Sequence, residues 1–267
     1  MMNYFEKRNL NKEKAHEWVD FIQKNHKKEI EELSNATKLY PDEPHHEFSK
    51  APMNTDMKIL VEQSTTVDTI LNYYKEDSYV CALNFASYKH PGGMFYDGSM
   101  AQEESLCHAS FLYPVLESPT VVNSFYRKHL GRLNRALYHS DLLFSPNIPF
   151  YLCNLKAATA DIITCAAPNK KAAQKYQHVS NEEIHIVLNK RIDAVLYAAS
   201  MENTKEHPIR VLVLGAFGCG VFGNDVTEVI SIFKDLLTNK YKNQFEKVIF
   251  AIPDSETYNI AKSIILS

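Results

Sequence analysis

Two adjacent glutamates that follow a glycine-bearing loop are the strongest candidates for chemistry in this sequence. Residues 84–106 read NFASYKHPGGMFYDGSMAQEESL and hold three of the chain's eight glycines, followed by Gln102, Glu103 and Glu104. One carboxylate of such a pair could hold a substrate hydroxyl while the other reaches the reacting bond, and the glutamine could add an amide contact. Because adjacent residues on a helix point about 100° apart, the two glutamates are expected to face different atoms. The alternative is that both only complement the positive end of a helix, which leaves the glycine loop unexplained.

A second loop, GAFGCGVFGND at residues 215–225, has the composition of an anion-binding loop. Seven of the eight glycines lie at 92–98 or at 215–223, and both places separate a predicted strand from a predicted helix. Successive backbone N–H groups in such loops bind anions, and the following helix N-terminus adds positive charge. We therefore expect both loops to hold one phosphate-bearing ligand at the carboxyl edge of a sheet, the alternative being connectors shaped only by packing. The spacing matches neither a P-loop nor GxGxxG.

The elements that must position these loops alternate between strands and helices. Apolar runs predict strands at 58–63, 79–85, 161–168, 209–214 and 247–253, and helical periodicity predicts helices at 11–33, 64–74, 180–201 and 224–239. The segment 34–54 is expected to be a connection, and 114–160 to be helical and irregular. This alternation predicts one α/β domain at 51–267 with a largely parallel sheet covered on both faces, preceded by an accessory helical region and linker at 1–50.

Composition narrows the function classes. With a net charge of −3, the whole chain lacks the excess positive charge that non-specific nucleic-acid binding requires. Five widely spaced cysteines without a CxxC pair indicate neither a disulfide framework nor a zinc site, and no ligand spacing demands a metal or cofactor. With no long apolar run and no signal-peptide pattern, a cytoplasmic protein without membrane contact is expected. The oligomeric state is open, with a monomer as the expectation.

The loop and helix at 84–113 resemble the signature of the microbial-type poly(ADP-ribose) glycohydrolases, a family of the macrodomain superfamily in which a PGGG loop is followed by QEE. Here QEE is intact, Met94 stands at the third loop glycine and His90 precedes the proline. DIITCAAPN at 161–169 and LGAFGCGVFGND at 214–225 are similar to that family's strand and diphosphate loop, in the same order. The resemblance runs from about Lys58 to Ile252 and is weak over the N-terminal helical region.

This resemblance implies a macrodomain-like three-layer α/β/α sandwich with a mixed, largely parallel sheet, an ADP-ribose pocket and a poly(ADP-ribose) glycohydrolase activity. It implies that Glu104 is the catalytic acid, that Glu103 and Asn84 hold ribose hydroxyls, and that Gly92 and Gly93 line the catalytic loop. The residues that would wrap the diphosphate are Gly218, Cys219, Gly220, Val221 and Phe222, the last of which would also pack against the distal ribose.

Three activities stay open at the level of the sequence. Both glycine loops and QEE favour hydrolysis of poly(ADP-ribose). Met94, which could close the space for an additional unit, favours removal of single ADP-ribose units from protein or nucleic acid. A non-catalytic ADP-ribose-binding domain is the third, and the intact Gln102, Glu103 and Glu104 argue against it.

Overall fold

The computed structural model describes residues 3–43, 48–53, 56–76 and 79–267, and a seven-stranded mixed sheet lies at its centre. The strands are β1 Lys38–Tyr40, β2 Lys58–Glu62, β3 Tyr79–Phe85, β4 Leu142–Leu152, β5 Leu155–Cys165, β6 Ile209–Leu214 and β7 Lys247–Ala251. Their order is β1-β4-β5-β3-β6-β7-β2. The five strands from β5 to β2 are mutually parallel, and β4 and β1 continue the sheet antiparallel. The predicted mixed, largely parallel sheet is confirmed.

The helices surround this sheet. They are α1 Tyr4–Asn25, α2 Lys27–Ala36, α3 Thr66–Tyr73, α4 Gln102–Ala109, α5 Leu112–Leu116, α6 Pro119–Val121, α7 Arg127–His129, α8 Lys170–Gln177, α9 Asn181–Glu202, α10 Val226–Thr238 and α11 Ser255–Leu266. Thr65 and Asp225 cap α3 and α10 by accepting hydrogen bonds from backbone N–H groups in the first turn. The sequence did not predict α8 or α11.

Alternation along the strands produces two separate cores. Cys81 and Leu83 of β3 pack on the face covered by α9, α10 and α11, whereas Val80 and Ala82 pack on the face covered by α1, α3, α4 and α5. Side chains of a strand point alternately to opposite faces, so a strand that is apolar at every position must lie between two layers. The prediction that both faces are covered is confirmed.

The N-terminal region differs from the expectation in two ways. The predicted helix at 11–33 is two helices, because the chain leaves helical geometry at His26, and α1 starts earlier with a capping box between Asn3 and Glu6. The segment 34–54 is not only a connection, since β1 pairs with β4 at the edge of the sheet. Ile22 is fully buried, and the Trp18 ring N–H donates to the Ser110 carbonyl at 3.1 Å.

The prediction for the middle region was wrong in its second half. Residues 142–165 form the long β4–β5 hairpin, so the strand predicted at 161–168 begins earlier, at Leu155. Pro146 and Pro149 interrupt the apolar pattern of β4, so the sequence does not predict this strand. Pro146 is tolerated because it lies where the pairing register shifts between Ser145 and Ile148. Beyond that point β1 no longer covers β4, and an edge strand tolerates proline.

The carboxyl ends of β3 and β6 lie at one edge of the sheet, because the two strands are parallel neighbours. The first glycine loop leaves β3 and leads to α4, and the second leaves β6 and leads to α10. The fold therefore brings the two glycine loops together, as the sequence predicted. Among the described residues, no helix is long and apolar enough to cross a membrane.

Candidate active site

Gln102 holds the first turn of α4 against the end of β3. Its Oε1 accepts from the Phe85 N–H at 2.8 Å, and its Nε2 donates to the Leu83 carbonyl at 2.8 Å and to Thr66 Oγ1 at 3.1 Å. Both amide protons are thereby used within the protein. The helix that carries the two glutamates therefore starts at a defined point, and the predicted contact of Gln102 with substrate stays a prediction.

Glu103 is buried with a donor on each carboxylate oxygen. Oε1 accepts from Asn84 Nδ2 at 3.1 Å, and Oε2 accepts from the Ser87 N–H at 2.7 Å. Removal from water raises the pKa of Glu103 to about 8, and the charge of Glu104 adds to this rise while the donors of Ser87 and Asn84 oppose it. A carboxyl with this environment retains a proton at neutral pH.

Glu104 lies beside Glu103 but has a more open environment. Its Oε1 accepts from the Met94 N–H at 2.9 Å, and among the described residues no donor contacts its Oε2. The side chain is only 6% exposed, yet it lines the cleft between the two glycine loops. One carboxylate oxygen is thus left for a ligand.

The two glutamates accept hydrogen bonds from different atoms, as expected, yet both carboxylates lie close to Gly93. Gly93 has φ +62, and a Cβ at this position would lie 2.6 Å from Glu104 Oε1 and 3.0 Å from Glu103 Oε2. The Cα–Cβ bonds diverge as a helix requires, but each long side chain bends toward the loop that crosses the first turn of α4. Both carboxylates therefore converge on the backbone of the catalytic loop, where a side chain would displace them.

A cleft of about 460 Å³ lies between the two loops. One wall holds Ser87, Gly93, Met94, Glu103 and Glu104, and the opposite wall holds residues 216–218 and 220–222. A neighbouring groove of about 400 Å³ continues from it past Phe85, Gln102 and Gly220 toward α3 and the start of α11. A larger groove, about 760 Å³, lies between α2 and α6 and contains neither glycine loop nor either glutamate.

The loop after β6 presents its backbone to this cleft. A Cβ on Gly220 would meet nothing within 4 Å, and the Val221 side chain is 79% exposed. In the part of the chain that the structure describes, the N–H groups of Gly220, Val221 and Phe222 have no protein acceptor. Free amides at the carboxyl end of a parallel strand form an anion-binding nest.

Several contributors were missed by reading the sequence. Ser87 and Met94 act through backbone N–H groups, which any residue type supplies, so no residue pattern marks them. The buried amide of Asn224 donates to the carbonyls of Gly218 and Pro168 and holds the shape of the second loop. Asp225 is the cap of α10.

Other reactive residue types are less suited to catalysis. Burial raises the pKa of the Cys219 thiol to about 12, so it stays protonated despite its place in the second loop. Burial lowers the pKa of His108 to about 4, and its ring packs edge-on against Phe95. Among the described residues, no group of three or more His, Cys, Asp or Glu could hold a metal ion.

Comparison with known proteins gives a consistent picture. Residues 12–152 match the sequence model of the family described as microbial-type PARG, catalytic domain. The crystal structure of poly(ADP-ribose) glycohydrolase from Thermomonospora curvata bound to the inhibitor ADP-HPD is 30% identical, with a TM-score of 0.79 over 96% of this chain and 99% of that chain. The corresponding protein from Deinococcus radiodurans in complex with ADP-ribose is 29% identical, with a TM-score of 0.75 over 89% and 96% of the two chains. No curated protein sequence matches this chain.

Proposed function

The chain belongs to the microbial-type poly(ADP-ribose) glycohydrolase family, and on that premise we propose that it cleaves ribose–ribose O-glycosidic bonds of poly(ADP-ribose) with Glu104 as the general acid and base. ADP-ribose is the released product. Glu103 and Asn84 hold the ribose that is cleaved, and the loop at 218–222 binds its diphosphate.

The single observation that carries the assignment of roles is the difference between the two carboxylates. Both oxygens of Glu103 already accept hydrogen bonds from the protein, at 3.1 Å and 2.7 Å, whereas Glu104 Oε2 has no protein donor among the described residues. A general acid must place its proton on an atom of the substrate, so it needs an oxygen that no protein donor occupies. Glu104 meets this requirement better than Glu103.

The chemistry follows from that geometry. Glu104 Oε2 donates its proton to the ribose oxygen that links the two units, and the bond between this oxygen and the anomeric carbon breaks. Both bonding electrons leave with the oxygen, so the anomeric centre becomes oxocarbenium-like. A water molecule then adds to this carbon while the Glu104 carboxylate accepts the water proton.

Binding of the remaining substrate is supported by free hydrogen-bonding groups. Asn84 Oδ1 is buried and has no donor among the described residues, so a ribose hydroxyl would satisfy it. The unpaired N–H groups at 220–222 would receive the diphosphate, and the neighbouring groove of about 400 Å³ has room for the adenosine. No metal or cofactor enters this account.

Removal of single ADP-ribose units is the second candidate function, and Met94 is the residue that favours it. Its side chain is 51% exposed and lines the cleft beside Glu104, where a second unit of the polymer would pass. The half-exposed side chain is free to turn outward, so we favour the polymer as substrate.

Product analysis tests the proposal. The protein is incubated with poly(ADP-ribose) and, separately, with a protein that carries single ADP-ribose units, and the released nucleotides are identified. We expect ADP-ribose from the polymer, with the unit attached to the acceptor left in place. Release only from the singly modified protein would favour the second candidate, and tight ADP-ribose binding without any hydrolysis would favour a non-catalytic domain.

A further inference from the structure

Three stretches around the cleft contain basic residues and no acidic residue. They are 86–96, 118–140 and 162–181, and together they contain eight Lys and Arg. The whole chain has a net charge of −3. Positive charge is therefore concentrated in a small part of a protein that is acidic elsewhere.

Backbone and side-chain contacts join these stretches into one surface. The Tyr88 hydroxyl donates to the Arg132 carbonyl at 3.0 Å, and the Asn169 N–H donates to the Ala136 carbonyl at 2.9 Å. The Lys171 N–H donates to the Phe222 carbonyl of the second glycine loop at 3.0 Å. The surface thus runs from the catalytic loop, past α7, to the loop assigned to the diphosphate.

Two cations of this surface have a carboxylate partner, Arg135 with Glu183 at 2.5 Å and Lys170 with Glu228 at 3.9 Å, and among the described residues the others have none. We call Lys89, Arg127, Lys128, Arg132 and Lys171 the basic rim. In the ranges that the structure describes, none of these five residues has a carboxylate within ion-pair distance, whereas Lys38, Lys190 and Lys240 each contact one. Arg127, Lys128, Arg132 and Lys171 are exposed. Because like charges repel, their clustering does not stabilise the fold and points to an anionic partner.

The opposite side of the cleft has the other charge. The groove that extends toward α3 and α11 holds Asp254. Asp68 and Glu256 lie on these two helices, and Asp225 caps α10. A polyanion would be repelled on that side and attracted on the side of the basic rim. The charge pattern therefore defines a direction across the site.

We propose that the basic rim binds the part of poly(ADP-ribose) that extends beyond the unit being removed, an inference that rests on the proposed function. The bond to be cleaved lies at Glu104, so the remaining polymer must leave the cleft on the catalytic-loop side. The basic rim begins there, at Lys89. Each further unit of the polymer carries two phosphate charges, which Lys and Arg neutralise with release of counterions. Arg127, Lys128 and Arg132 of the rim select long polymers and add nothing to binding of the terminal unit.

The test compares two triple variants on substrates of different length. Arg127→Gln, Lys128→Gln and Arg132→Gln together remove three exposed charges of the basic rim. Lys58→Gln, Lys205→Gln and Lys242→Gln together remove three exposed charges at the amino ends of β2, β6 and β7, on the opposite edge of the sheet. Hydrolysis of long poly(ADP-ribose) and of a two-unit oligomer is measured at several salt concentrations, and ADP-ribose binding is measured by calorimetry.

For the rim variant we expect kcat/KM on the long polymer to fall about tenfold at low salt and to depend less steeply on salt. Its values for the two-unit oligomer and for ADP-ribose should stay within about twofold of wild type, as should all values of the control variant. Equal losses on the long and short substrates, or no loss on the long polymer, would overturn the proposal.

A measurement of polymer binding without turnover distinguishes a failure of this proposal from a failure of the proposed function. In a Glu104→Gln background, where polymer is bound without turnover, the rim substitutions should still weaken binding of long poly(ADP-ribose), even if the wild type proves to hydrolyse neither substrate. If single-stranded RNA of the same charge competes as well as the polymer, the rim is a general nucleic-acid surface and the proposal is wrong.

Discussion

The two glycine loops of the cleft differ in what occupies the space where a glycine side chain would be. In the loop after β3 that space is filled by protein: a Cβ on Gly92 would lie 2.5 Å from the Tyr113 ring, and one on Gly93 would contact both glutamates. In the loop after β6, a Cβ on Gly220 would meet nothing within 4 Å. The first loop is enclosed at both of these glycines, and the second is enclosed at Gly215, Gly218 and Gly223 but open at Gly220.

This difference shows that glycine can serve a site in two ways. In the catalytic loop it lets the backbone approach closely enough for the N–H groups of Ser87 and Met94 to hold Glu103 and Glu104. In the second loop it leaves room for a ligand to approach unpaired N–H groups. The first arrangement preorganises catalytic groups, and the second provides a binding surface.

Gly93→Ala should have the greatest effect on turnover. The added methyl group would displace both carboxylates, and the left-handed φ of +62 adds strain, so we expect kcat to fall by about 10²-fold or more. Steady-state kinetics on poly(ADP-ribose) measures this. Gly131→Ala is the matched control, since Gly131 also has a left-handed φ, of +88, but a Cβ there would meet nothing within 4 Å. Equal losses in both variants would show that strain alone, without displacement of the glutamates, explains the result.

Gly220→Glu should weaken the binding of ADP-ribose. A carboxylate at the centre of the anion-binding loop would repel the diphosphate, and we expect ADP-ribose affinity to fall by about 100-fold, as measured by calorimetry. Gly220→Ala is the control, because its methyl group has open space and should change affinity by less than about threefold. Unchanged binding by Gly220→Glu would mean that the diphosphate lies elsewhere.

Gly98→Ala should lower the free energy of unfolding. Gly98 has φ +78 and lies against the Arg8 carbonyl and the Lys12 N–H of α1, so a Cβ would separate the helix from the catalytic loop. We propose that residues 1–50 are an accessory region, and we expect a loss of about 2–3 kcal/mol in unfolding free energy with kcat changed less than tenfold. Urea denaturation and kinetics below the transition measure the two quantities. A stable variant without hydrolysis would assign α1 a role in catalysis.

The buried Glu103 should make stability depend on pH. Its folded-state pKa, about 8, lies above the usual value of 4.5, so the folded protein binds this proton more tightly than the unfolded chain. This stabilisation is complete below about pH 4.5 and is lost as the pH rises through about 8, at up to about 1.4 kcal/mol per pH unit. Urea midpoints of wild type and Glu103→Gln across this range measure it. Parallel pH profiles for the two proteins would contradict the raised pKa.

Much of the fold could be predicted because apolar runs and caps are local signals. The strand Tyr79–Phe85 has the predicted bounds, and Thr65 and Asp225 cap the helices that follow β2 and β6. The β4–β5 hairpin could not be predicted, because Pro146 and Pro149 interrupt its apolar pattern and only long-range pairing stabilises it. The break at His26 likewise lies inside a continuous helical pattern.

The site could be predicted in its residue types but not in its hydrogen bonds. The order of the three motifs was enough to predict that Glu103, Glu104 and the loop at 218–222 lie at one edge of the sheet. The convergence of both carboxylates on Gly93 could not be read from helical angles, because it depends on side-chain torsions and on the path of the loop. The roles of the Ser87 and Met94 N–H groups could not be predicted either, because every residue type except proline has a backbone N–H and only the path of the loop places it.

The most direct test of the account is the comparison of Glu104→Gln with Glu103→Gln, measuring turnover of poly(ADP-ribose) and ADP-ribose affinity for each. Glu104→Gln keeps the size of the side chain but removes the transferable proton, so we expect kcat to fall by about 10²–10⁴-fold or more with affinity nearly unchanged. Glu103→Gln should weaken both affinity and turnover, because it is assigned to the ribose hydroxyls. Near wild-type turnover by Glu104→Gln would contradict the assignment of Glu104 as the general acid.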